Sequence, residues 1–70
     1  MGITLHIFKN VHAEVNQIID ECSMQGRNVA LGRLLSLCQD DDDLIWALKQ
    51  ADSEGVLADH IREQYKDWLN

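Results

Sequence analysis

Proline is absent from the 70 residues, and glycine occurs only four times. Nothing obliges the backbone to break often, which excludes a proline-rich linker or a turn-dense β-sandwich and leaves room for helices. Cysteine occurs twice, at Cys22 and Cys38, without a Cys-x-x-Cys pair. That is too few for a disulfide scaffold or a tetrahedral zinc site, and the expected compartment is the reducing cytoplasm. Aromatic residues make up 6% of the chain. No apolar run approaches the ~18 residues of a membrane-spanning helix, and Met1 to Phe8 carries neither a basic start nor a long apolar stretch, so neither a membrane segment nor a secretory leader is expected. Basic side chains are also scarce, six against twelve acidic ones, for a net charge of −6. Nonspecific nucleic-acid binding needs Lys and Arg on the phosphates, so direct binding of nucleic acid is not expected.

The charge is unevenly placed. Lys9, Arg27 and Arg33 balance Glu14, Asp20 and Glu21 in residues 1–38. In residues 39–70 only Lys49, Arg62 and Lys66 oppose Asp40, Asp41, Asp42, Asp43, Asp52, Glu54, Asp59, Glu63 and Asp67; three minus nine gives the whole −6. A field of one sign attracts basic surfaces. It also serves solubility.

Hydrophobic spacing sets the expected elements. Residues 3–8 (Ile-Thr-Leu-His-Ile-Phe) form the one stretch of strand character. A lone strand cannot satisfy its own backbone, so it pairs, most cheaply with the same strand of a second copy, or else the stretch is extended coil or helix. From Asn10, a good N-cap, the period becomes helical. Val11, Val15, Ile18, Ile19 and Cys22 fill an arc of about 100° before Gly26, a natural C-cap. Asn28 is the expected cap of a second helix over 29–39, whose apolar residues spread over roughly 160°. That is wide enough for contact on two sides, and Leu31, Leu34 and Leu35 are the candidate homodimer interface. Gly32 either admits a neighbouring backbone or weakens this helix. One of Asp40–Asp43 caps a third helix, with Leu44, Ala47, Leu48 and Ala51 as its stripe. After a break at residues 52–55, a fourth helix is expected from Val56 to Leu69, with Asp59/Arg62 and Glu63/Lys66 as i, i+3 pairs. The expected architecture is a single all-α domain over residues 1–70, a compact bundle of three to four short helices. A core this small supplies only ~3–5 kcal/mol, which makes a homodimer the natural further stabiliser.

Chemistry-bearing motifs are missing. The three histidines have no ligand spacing, and Asp40–Asp43 lack the alternating pattern of a calcium loop, so no metal or cofactor is expected. No serine sits in a nucleophile elbow, both cysteines lie on apolar faces, and no glycine loop cradles phosphate, so no enzyme is expected. Trp46 stands out. On its helix it lies roughly 160–200° from Leu44 and Leu48, beside Asp42, Lys49 and Gln50. An indole among polar neighbours is the anchor of a binding surface unless the helix is covered on two sides. Trp46, Asp42, Asp43, Lys49 and Gln50 are therefore the candidate partner-binding residues. The expected function is a non-catalytic acidic module, a small inhibitor or regulator. It would dock on the basic, nucleic-acid-binding surface of another protein, its carboxylates standing where phosphates would.

Residues 3–38 also resemble a ribbon-helix-helix unit: a strand, a helix, Gly26, then a second helix. The resemblance implies a dimeric repressor whose paired strands enter the major groove of DNA. The chain departs from that pattern at Glu21, where a leucine is usual, and in the outward Thr4, His6 and Phe8, where Arg or Lys is common. A third reading is a structural or assembly subunit.

Overall fold

Asn10 opens the first helix as its side chain predicts: Oδ1 accepts from the Ala13 N–H at 3.2 Å. The computed structural model describes residues 10–70, and the strand expected at 3–8 lies outside them. Five helices follow in order: α1 (Val11–Gln25), α2 (Leu31–Leu37), α3 (Asp41–Ser53), α4 (Asp59–Gln64) and α5 (Lys66–Leu69). This is an all-α bundle, with no strand among the described residues.

Helices α1 and α3 end in the same device. Gly26 (φ 67°) and Gly55 (φ 73°) take the left-handed conformation that a side chain resists. After α1, the N–H of Arg27 donates to Cys22 O (3.0 Å) and that of Gly26 to Ser23 O (3.3 Å). After α3, Val56 donates to Ala51 O (3.0 Å) and Gly55 to Asp52 O (3.1 Å). Both are Schellman closures, which use carbonyls the helix leaves unpaired. The two ends are then tied together, the Val29 N–H donating to Val56 O at 2.8 Å. At the other end His12 of α1 meets Asp43 of α3. The helices α1 and α3 therefore run side by side in the same direction, with α2 returning against both.

The tie through Val29 also explains where α2 departs from expectation. Asn28 does not cap it. Val29 is drawn into the interior, 2% exposed, and Ala30 (φ −79°, ψ 125°) becomes the N-cap without a side-chain bond. The helix stops at Leu37, because Cys38 is extended (φ −84°, ψ 124°) and Asp40 (φ −137°, ψ 170°) must open outward to cap α3. Its carboxylate accepts from the Asp43 N–H at 2.9 Å. The expected single helix over 56–69 is likewise shortened and divided. Val56 spends its N–H on the closure of α3 and its carbonyl on Val29, so α4 starts only after Ala58. Tyr65 (φ −110°, ψ 21°) then separates α4 from α5 by one residue.

The core gathers the stripes of every long helix. Val15, Ile18, Ile19 and Cys22 of α1 meet Leu34 of α2, Leu44, Ala47, Leu48 and Ala51 of α3, and Ile61 of α4, with Val29, Val56 and Leu57 from the connections. No polar side chain is buried among them. At ~1.5–3 kcal/mol per large aliphatic side chain, this burial is the main force holding the helices together. A Cβ added at Gly32 would meet nothing within 4 Å, so among the described residues no neighbouring backbone approaches it.

Candidate partner-binding surface

The start of α3 concentrates the negative charge. Asp40, Asp41 and Asp42 are exposed and Asp43 is half-buried. Asp40 is occupied as the cap. Asp43 Oδ1 lies 3.5 Å from His12 Nε2, while Asp41 and Asp42 form no ion pair among the described residues. The helix dipole contributes only about +0.5 charge here, against four carboxylates.

Two of the acidic half's three cations are already spent elsewhere. Arg62 Nε donates to Asp52 Oδ1 at 2.7 Å, and its Nη1 to Asp59 Oδ1 at 2.9 Å. The hydrogen bond and charge of Asp52 raise the guanidinium pKa further above its ordinary value, so Arg62 stays charged. Lys66 Nζ lies 3.3 Å from Glu63 Oε1. The i, i+3 pairs were readable in the spacing; the link from Arg62 to Asp52, ten residues away, depends on how α4 folds back.

Trp46 does not stand free in water. It is half-buried, packed against the core, and one face is covered by His12: the rings stack with centroids 3.8 Å apart and 12° between planes. The reason is that α3 is packed by α1, α2 and α5, which widens its buried arc until the indole lies at the margin. A signal for His12 was present in the sequence, since it falls about 20° from Ile19 on the first helix and so beside the apolar stripe. Its partner on α3 was not readable. Of the other candidate residues, Asp42 and Lys49 face solvent, and Asp43 and Gln50 are half-buried.

The three leucines proposed for a dimer interface divide. Leu34 is fully buried in its own chain's core, which takes it out of any surface; Leu31 is half-buried, and Leu35 is 49% exposed. This follows from α2 lying against both α1 and α3, so that its two-sided contact is met within the chain.

Both cysteines are free thiols, Cys22 buried and Cys38 half-buried. Burial raises the Cys38 thiol pKa above its ordinary 9.0, and the negative charges of Asp43 and Asp40 raise it further. Among the described residues no three His, Cys, Asp or Glu side chains gather as metal ligands, and no helix is long and apolar enough to cross a membrane. Comparison of the chain with protein-family models, curated proteins and solved structures finds no match.

Proposed function

We propose that the chain is a non-catalytic acidic module that docks on the basic, nucleic-acid-binding surface of another protein, as a small inhibitor or regulator. The observation that carries this reading is the exposed Asp41–Asp42 pair, unopposed by any ion pair among the described residues, while Arg62 and Lys66 are already committed to carboxylates of their own helices and neighbours. The uncovered part of Trp46, with Asp42 and Lys49, borders that charge on the same helix. Such a surface favours a cationic partner and disfavours phosphate. The free thiols fit a reducing, cytoplasmic setting. A homodimer belongs to the same reading through Leu31 and Leu35 and through the expected pairing of residues 3–8, but not through Leu34, which is interior.

A deca-arginine peptide serves as the probe. Titrated into the 15N-labelled chain, it is expected to shift the amides of Asp41, Asp42 and Lys49, and Asp41→Asn with Asp42→Asn to weaken it at least fivefold. The chain alone is expected not to retard duplex DNA at low salt, where a direct DNA binder holds most tightly. Retardation of DNA would favour the ribbon-helix-helix reading, and peptide binding indifferent to both asparagines would end the docking one.

A further inference from the structure

The face of α1 turned toward α2 leaves a cleft of about 320 Å3, at the lower end of the range for ligand sites. Glu14, Gln17, Ile18 and Glu21 line it from α1, at helical spacing on one side; Arg33 and Leu37 line it from α2. Its floor is apolar, with Ile18 buried and Leu37 half-buried, and its rim is charged. Glu14 lines it half-buried, and its Oε2 has no hydrogen-bond partner among the described residues. An ionised carboxylate oxygen only accepts, so what completes it is a donor, and a cationic one above all. Arg33 on the opposite wall does not meet that need: it forms no ion pair among the described residues. Glu21 Oε1 accepts from the Gln17 side-chain amide at 3.5 Å.

We propose that this cleft receives one lysine or arginine side chain of the protein partner, its stem on Ile18 and Leu37 and its charged head on Glu14 and Glu21. Long basic side chains pack in this way, covering apolar surface with the stem while the head meets charge. The inference rests on the docking reading and adds to it the position that would select a single basic residue. Arg33 makes the site discriminating, because its like charge opposes a cation that fails to reach Glu14.

The test is a titration of the 15N-labelled full chain with Nα-acetyl-arginine methylamide, with Nα-acetyl-norleucine methylamide as the uncharged control. Saturable shifts are expected for amides in 14–21 and 33–37 with the arginine probe and not with norleucine. Glu14→Gln is expected to weaken binding about tenfold. Arg33→Gln is expected to tighten it about threefold by removing a like charge, a gain that a merely structural arginine would not give. No shifts at the cleft, or equal affinity for both variants and the wild type, overturns the inference. Should Glu14→Gln fail to fold, Arg33→Gln carries the decision. Deca-arginine binding through Asp41 and Asp42 with a silent cleft removes this inference and leaves the docking reading intact. A cleft filled by the capped arginine while deca-arginine ignores Asp41 and Asp42 does the reverse.

Discussion

Replacing Trp46 by alanine separates an indole that builds the fold from one held out for a partner. A tryptophan buries about 150–250 Å2 in a protein interior. Trp46 is covered on one face by His12 and on another side by the core, so about 150 Å2 is a fair share of that area. At ~25 cal/mol per Å2 this is nearly 4 kcal/mol as an upper bound, which compaction of the unfolded chain reduces to about 2–3. The stack on His12 adds about 0.5–1.5 kcal/mol. The expected loss of about 2–4 kcal/mol is most of the ~3–5 kcal/mol that a core of this size supplies. With a urea slope of about 1 kcal/mol/M, the midpoint followed by far-ultraviolet circular dichroism falls by about 2–4 M. His12→Ala is expected to cost about 1 kcal/mol, and the double variant less than the two single losses together, because both remove the same stack. Trp46→Phe keeps an aromatic face and loses only about 1 kcal/mol. A Trp46→Ala midpoint within about 0.5 M of wild type, or strict additivity with His12→Ala, would refute the packing of this ring and return the indole to the solvent.

Two further outcomes follow from backbone and thiol. Gly32→Ala meets open space in an α-helix and is expected to raise stability by about 0.5–1 kcal/mol in thermal melts, whereas Gly26→Ala, at φ 67°, is expected to lower it by about 1–2 kcal/mol; a destabilising Gly32→Ala would mean that another surface packs there. Cys38 is expected to react with iodoacetamide more slowly than a free cysteine at neutral pH, because its raised pKa keeps it protonated, and Asp43→Asn to speed the reaction. The same shift makes the folded state hold its proton where the unfolded state has released it. Its contribution is full below the ordinary pKa and is lost as the pH climbs past 9 through the folded value. Wild-type stability is therefore expected to fall there more steeply than that of Cys38→Ser.

Much of the local structure was written in neighbouring residues. Asn10 and Asp40 cap the helices they precede, and Gly26 and Gly55 stop the helices they follow, because a cap depends on the chemistry of a few adjacent residues and on one backbone angle. The core stripes were legible for the same reason, since a helix repeats every 3.6 residues whatever it packs against. What the sequence by itself could not determine was which elements meet. Val29 and Val56, 27 positions apart, exchange a backbone hydrogen bond, and that contact shortens α2 and delays α4. The same limit governs the candidate site. Helical phase put Trp46 opposite the leucines, but how much of it water reaches was decided by α1 bringing His12 onto its face. The exposed acids were legible as composition, and the cleft at Glu14 was not, because a cavity exists only between two surfaces. Propensity, capping and periodicity act within a few residues of chain, whereas burial belongs to pairs of elements whose separation along the chain carries no local signal.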